Sequence, residues 1–179
     1  MLIRAAVAAD ARAIAGVQVA SWRSTYRGIV DDDYIDGLTA EAREQAWADF
    51  LARADAECVV FVAEGNDTGV VGFASGGPVR DGGEREFGGE LYAIYLLAEH
   101  QRRGLGGRLV RAVAAALGER GHRSMLVWVL ERNPACAFYE AMGGRRIKAE
   151  PLAIGGATYA SVAYGWDDIG ALLAPDAGC

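Results

Sequence analysis

The sequence predicts a mixed α/β fold. Apolar runs of strand length alternate, from Leu2 through Trp166, with longer stretches in which apolar residues return every three or four positions. One run, Leu91 to Leu97, is apolar without interruption, as a strand covered on both faces requires. No repeat and no linker-length polar stretch divides the chain, so residues 1–174 read as a single domain and 175–179 as a frayed C-terminal tail.

The elements follow in order. Leu2 to Ala5 is a short first strand. Asp10 is placed to cap a helix running to about Ser24, with Ile14, Val17 and Ser21 on one face. The stretch Tyr26 to Asp33 breaks that helix, and Asp31-Asp32-Asp33 reads either as an acidic helix start or as an attractor for a cation. Thr39 can cap a second helix, in which Trp47, Phe50, Leu51 and Ala54 share a face. Cys58 to Ala63 and Val70 to Ala74 flank Gly65-Asn66-Asp67-Thr68-Gly69, a hairpin signal. Gly76 to Gly89 is polar and rich in glycine and reads as a mobile loop. After the strand Leu91–Leu97 comes a helix, Gly104 to Glu119, with Leu105, Leu109, Val113 and Leu117 four apart. Ser124 to Leu130 is a strand, and Pro134 to Met142 is a short helix with its proline in the first turn. Arg145 to Leu152 and Thr158 to Trp166 form a closing hairpin around Gly155-Gly156.

Composition narrows the function classes. With 52% hydrophobic and 23% charged residues among 179, the chain is not of the disordered type. No apolar run reaches the ~20 residues of a membrane span, and the N-terminal stretch carries charge inside its apolar part, unlike a signal peptide. A net charge of −6 supplies no basic face for nucleic acid. Cys58, Cys136 and Cys179 are odd in number and widely spaced, which fits neither a zinc site nor a disulfide framework. No metal is expected, and a reducing, cytoplasmic setting is.

The most informative segment is Gln101-Arg102-Arg103-Gly104-Leu105-Gly106-Gly107, where the apolar strand turns into the amphipathic helix. Glycines allow a ligand to approach the backbone, and a helix start offers unpaired N–H groups at the positive end of its dipole. Together they make an anion site suited to a phosphate or diphosphate, and Arg102, Arg103, Arg108 and Arg111 add positive charge. The dinucleotide fingerprint is incomplete, because Leu109 stands where its third glycine belongs and no acid lies near Ser124. The Lys-Ser/Thr of a P-loop is absent. A glycine-rich turn without a ligand remains the plain alternative.

A second motif follows some thirty residues on: Asn133-Pro134-Ala135-Cys136-Ala137-Phe138-Tyr139-Glu140-Ala141-Met142-Gly143. Q-x-x-G-x-G after a strand, then N-x-x-A/C-x-x-F-Y-E-x-x-G, resembles the GCN5-related N-acetyltransferases (the GNAT superfamily). The matching order of elements extends the resemblance over nearly the whole chain. It implies a mixed sheet of about seven strands with four helices, in which two parallel strands, here Leu91–Leu97 and Ser124–Leu130, splay apart to admit the pantetheine arm of acetyl-CoA as cosubstrate. It further implies that Gln101, Arg102, Arg103, Gly104, Leu105, Gly106 and Gly107 bind the diphosphate. Ile94, Tyr95 and Leu96 would offer backbone groups to pantetheine and the acetyl carbonyl. Asn133 would hydrogen-bond the arm, and Tyr139 would sit near the thioester sulfur. Ala98 and His100 depart from the family's usual proline and aromatic residue on the approach to the loop.

Amide formation from a thioester needs a neutral amine, and an alkylamine is only ~1 part in 2,500 neutral at pH 7, a cost of about 4.6 kcal/mol. Glu90, which opens the long strand, is the candidate base, acting through water; Glu84 and Glu86 are weaker candidates. A solvated strand-end acid is the alternative for Glu90. Tyr139 is the candidate acid for the departing thiolate, a proton transfer about 2 kcal/mol uphill between ordinary phenol and thiol values; core packing is its alternative. No covalent intermediate is expected, since no histidine accompanies Cys136, and His100 and His122 read as surface residues.

Trp22 and Tyr26, four apart at the end of the first helix, can form an aromatic wall for an acceptor or can simply pack in the core; Tyr92 is a further lining candidate. The last strand either closes the pocket or forms a homodimer edge. The expected activity is transfer of an acetyl group to an amine of a small molecule or peptide. The competing readings are a catalytically silent acyl-CoA sensor, an acetyltransferase acting on charged tRNA, which the acidic pI of about 5.0 disfavours, and a nucleotide-binding domain.

Overall fold

The structure, a computed structural model, describes residues 1–53, 57–80 and 86–174. Its strands are β1 (Leu2–Ala5), β2 (Val59–Gly65), β3 (Gly69–Pro78), β4 (Gly89–Leu96), β5 (Met125–Leu130), β6 (Arg145–Ile154) and β7 (Ala157–Trp166). They make one seven-stranded sheet in the order β1-β2-β3-β4-β5-β7-β6. Every neighbouring pair is antiparallel except β4 and β5, which run parallel. The helices are α1 (Ala11–Thr25), α2 (Asp32–Asp36), α3 (Ala40–Arg53), α4 (Leu105–Glu119), α5 (Ala135–Ala141) and α6 (Gly170–Leu173). The four predicted helices correspond to α1, α3, α4 and α5. Of the two short ones, α2 begins at the acidic run for which a helix start is one of the two readings, and α6 has no counterpart in the sequence reading.

The helical faces read from the sequence are the buried ones. Leu105, Leu109, Val113 and Leu117 of α4 pack with Val71, Leu91, Met125 and Val127 of the sheet. On the other side Ile14 and Val17 of α1 and Trp47, Phe50 and Leu51 of α3 pack with Val60, Val62 and Phe73. The sheet is thus covered on both faces, which is why its central strand is apolar from Leu91 onward. Thr39 caps α3 by accepting from the Ala42 amide at 3.3 Å, and Asp31 caps α2 by accepting from the Tyr34 amide at 3.1 Å. The acidic run is therefore a helix start. No helix among the described residues is long and apolar enough to cross a membrane.

Several expectations need correction. Asp10 precedes α1 but makes no side-chain cap. Its carboxylate instead accepts from the Val7 amide at 2.8 Å and from both terminal nitrogens of Arg4. The segment read as a loop from Gly76 is strand as far as Pro78, with Gly76, Gly77 and Pro78 in register with Leu91, Glu90 and Gly89. Its glycines answer a packing need. A Cβ at Gly76 would lie 2.6 Å from Val113 Cγ1, and one at Gly77 would lie 2.5 Å from the Tyr92 hydroxyl. His100 and His122 are half-buried, not superficial. Ala54, Glu84, the loop residues 81–85 and the tail 175–179, with Cys179, lie outside the described residues.

Candidate active site

The parallel pair β4–β5 holds together over three register positions only, Gly89↔Met125, Glu90↔Leu126 and Leu91↔Val127. Beyond Leu91 and Val127 the strands part while each keeps its antiparallel neighbour, β3 or β7. The edge of β4 from Tyr92 onward thus faces a gap with unspent backbone groups. Register tells which residues they belong to. Leu97 donates to the Val71 carbonyl at 2.9 Å, and in an antiparallel ladder every second residue makes such bonds. Tyr95, two residues earlier, therefore spends its amide and carbonyl on Phe73 of β3. Ile94 and Leu96 turn theirs toward the gap. The expectation that Tyr95 offers backbone groups there is corrected by parity. The Leu96 carbonyl already accepts from Ser21 Oγ at 3.2 Å and Gln101 Nε2 at 3.0 Å, so its amide is what remains.

The gap leads to the start of α4. The first intrahelical bond is Arg108 N–H to the Gly104 carbonyl at 3.2 Å, so the amides of Leu105, Gly106 and Gly107 have no partner within the helix. Gly104, at φ 76°, makes the turn that aligns them, a conformation that costs a side-chain-bearing residue about 1–2 kcal/mol. Arg102 also has a positive φ, 58°, and no glycine to ease it. Arg102 and Arg103 are exposed beside the amides. Arg108 and Arg111 are committed elsewhere, to the Met1 carbonyl at 3.2 Å and the Leu172 carbonyl at 3.0 Å.

Tyr139, on α5, is 4% exposed, packed against Phe138, Tyr164 and Trp166 at ring distances of 5.3, 6.0 and 6.2 Å. Among the described residues its hydroxyl has no hydrogen-bond partner. Burial holds that hydroxyl well above the ordinary phenol range, with Tyr95 and Cys136 adding to the shift. Asn133 is buried, and its amide is engaged: Oδ1 accepts from the Ala135 amide at 2.9 Å and Nδ2 donates to the Tyr26 hydroxyl at 2.9 Å. Cys136 donates weakly from Sγ to the Leu130 and Glu131 carbonyls, both at 3.6 Å, and burial raises its thiol, so it is no activated nucleophile.

Glu90 is 2% exposed, which excludes the solvated strand end. Both its oxygens meet Arg80: the Arg80 amide donates to Oε2 at 3.0 Å, Nε donates to Oε1 at 3.0 Å, and Nη2 also reaches Oε1. Arg80 lies 4.7 Å over the ring of Tyr92, whose hydroxyl donates to the Pro78 carbonyl at 2.6 Å. Burial pushes the Tyr92 hydroxyl up as well. Glu86 is exposed. Sequence reasoning missed Arg80; the only signal was its place across the β3–β4 hairpin from Glu90.

Trp22 stacks on Tyr26 at 4.6 Å and approaches Tyr34 at 5.9 Å, with Val30, Ile35 and Leu130 beneath. Tyr92 belongs to the Arg80 cluster, so the three predicted lining residues do not share one wall. Beyond Trp22 and Tyr26 an open recess of about 560 Å³ lies between Gly28–Asp32 and the β6–β7 turn, with Ile29, Asp31 and Tyr159 on its sides. No group of metal-ligating side chains occurs among the described residues.

A sheet split at its one parallel pair, with a glycine-arginine helix start at the mouth of the split, defines a class of fold in which backbone donors face a gap between two strands. Comparison with known proteins gives that class its family. The family model for FR47-like proteins matches residues 70–152. A Bacillus subtilis protein, described as the uncharacterized N-acetyltransferase YuaI, is 41% identical over 171 residues, 95% of each chain. Two solved structures share the fold. A GCN5-related N-acetyltransferase from Rhodopseudomonas palustris superposes with TM-score 0.71 at 20% identity, over 92% of this chain and 93% of its own. The Salmonella typhimurium protein yncA, solved with its cofactor acetyl-CoA, superposes with TM-score 0.69 at 24% identity, over 99% of both chains. The chain belongs to the GCN5-related N-acetyltransferase superfamily.

Proposed function

We propose that the protein transfers the acetyl group of acetyl-CoA to a primary amine of a small molecule or peptide by direct attack, without an acyl-enzyme. The observation that carries this is the split between β4 and β5 with the amides of Leu105, Gly106 and Gly107 at its mouth. The residues present suit the donor. The helix-start amides with Arg102 and Arg103 match its diphosphate, and the outward amides of Ile94 and Leu96 match its amide-bearing arm. When bound, acetyl-CoA supplies an activated acyl carbon.

The chain's own groups then act as follows. The Ile94 or Leu96 amide, fixed by the strand, is a donor for negative charge developing on the carbonyl oxygen. Tyr139 holds its proton at every physiological pH, because burial opposes ionisation, and is the acid for the departing thiolate. Glu90 is the water-relayed base that accepts the amine's proton. Trp22 and Tyr26 border the acceptor, and the recess beside them gives it access. Glu90's complete engagement by Arg80 is the one observation favouring a second reading, a catalytically silent acyl-CoA-binding sensor.

The experiment is a panel of primary amines and peptide N-termini incubated with acetyl-CoA, reading released thiol. Turnover with any amine above the hydrolysis blank supports the transferase. Tight acetyl-CoA binding with none across the panel supports the sensor.

A further inference from the structure

The split between β4 and β5 raises the question of what fixes its width, since no ladder bond joins the strands beyond Leu91 and Val127. One side chain reaches both arms. Tyr26, at the C-terminus of α1 and 8% exposed, accepts from Nδ2 of Asn133 at 2.9 Å, just past the end of β5. On the other arm it packs in one cluster with Tyr95, on β4. Each contact is itself anchored. Asn133 is oriented by the bond from the Ala135 amide to Oδ1, which leaves the NH₂ side for Tyr26. Tyr95 accepts from Trp22 Nε1 at 3.0 Å, and its backbone belongs to the β3 ladder. Leu130, the last residue of β5, packs in the same cluster as the Tyr26 ring.

We infer that Tyr26 is a strut across the split, a positioning residue that sets the spacing of β4 and β5 and so the fit of the acyl donor between them. The inference rests on the acetyl-CoA reading for its functional half alone; the bridge itself stands on the geometry. It gives Asn133 a task beyond the one the family resemblance implies. One Nδ2 hydrogen holds Tyr26, which leaves the second hydrogen of that NH₂ group uncommitted by this bond. It also explains why two aromatic side chains and an amide, all largely out of water, are spent in a place where apolar packing would serve stability equally well.

The test uses Tyr26→Phe, which removes the hydroxyl and keeps the ring on Trp22, with Asn133→Ala as the second variant should the first fail to fold. Two readouts are taken on the full chain. The first is amide hydrogen exchange, which needs no ligand. Backbone amides of Trp128–Leu130 and of Tyr95 are expected to exchange at least tenfold faster in either variant, with those of the α4 core unchanged. The second is acetyl-CoA affinity by calorimetry, expected to weaken about tenfold in each single variant and no further in the double variant, because both remove one bridge. A loss in the double variant equal to the product of the single losses, or exchange unchanged at β5 and Tyr95, overturns the strut. Faster exchange at those amides in a protein with no affinity for acetyl-CoA keeps the strut and refutes the donor reading instead.

Discussion

Tyr139 and Glu90 are both buried, and their surroundings differ in kind. The Tyr139 ring packs against three aromatic rings, and its hydroxyl has no acceptor among the described residues, whereas the Glu90 carboxylate takes the Arg80 guanidinium on Oε1 and the Arg80 backbone amide on Oε2. As the proposed acid, Tyr139 would give its proton only to a group brought to it. Replacing Tyr139 by Phe is expected to lower kcat about 100-fold with little change in acetyl-CoA affinity; turnover equal to wild type would remove it from the mechanism. Since burial raises its hydroxyl above the usual phenol value, Tyr139 stays protonated further into alkali than a free tyrosine. The pH profile of kcat should therefore show no descending limb from this group below about pH 10, and a loss of kcat near pH 9 that Tyr139→Phe abolishes would contradict this. At this scale the sequence was half legible. Tyr139 announced itself through the motif around Asn133. Arg80 did not, because its relation to Glu90 depends on strand register and not on spacing along the chain.

Among the elements, α4 and the β3–β4 hairpin matter most to the site. The amphipathic repeat of α4 and the glycines before it were readable because they are local: a periodicity and a turn. Replacing Gly104 by Val places a β-branched residue at φ 76°, which is expected to cost about 1–2 kcal/mol in denaturant unfolding and to disorganise the amides that follow. Acetyl-CoA affinity should fall at least tenfold in calorimetry; an unchanged affinity would move the anion site elsewhere. The hairpin was misread for a physical reason. Gly76 and Gly77 look like loop residues, yet they are small because Val113 and Tyr92 press against the strand there. A single sequence does not distinguish a glycine needed for flexibility from one needed for space. The parity that turns Ile94 and Leu96 outward, and Tyr95 inward, likewise belongs to the ladder and not to the apolar run.

Over the whole molecule, the sheet is held at one edge by charge. Arg4 on β1 joins Asp10 at 2.7 Å to Glu64 on β2 at 2.8 Å, tying the first strand and the turn before α1 to the hairpin. Arg4 lowers the Asp10 carboxyl below its ordinary value, which fixes the sign of the pH dependence. The stabilisation is complete above the unfolded carboxyl value near 3.9 and is lost as pH falls through the lower folded value. Replacing Arg4 by Met should cost about 2 kcal/mol at pH 7 in urea unfolding, with the difference from wild type shrinking toward pH 2; an equal difference at both pH values would show that packing, not charge, is lost. The alternation of strands and helices that the sequence displays is what this sheet needs on both faces, so the family and its order of elements were readable before any contact was known. The recess between Gly28–Asp32 and the β6–β7 turn was not, because its sides meet only in space.

The most direct measurement is a calorimetric titration of the purified protein with acetyl-CoA, with Gly104→Val alongside. A saturable one-to-one isotherm for the wild type, weakened in the variant, is the predicted result. A folded wild-type protein that releases no heat with acetyl-CoA at millimolar concentration would contradict the assignment of the split sheet as an acyl-donor site.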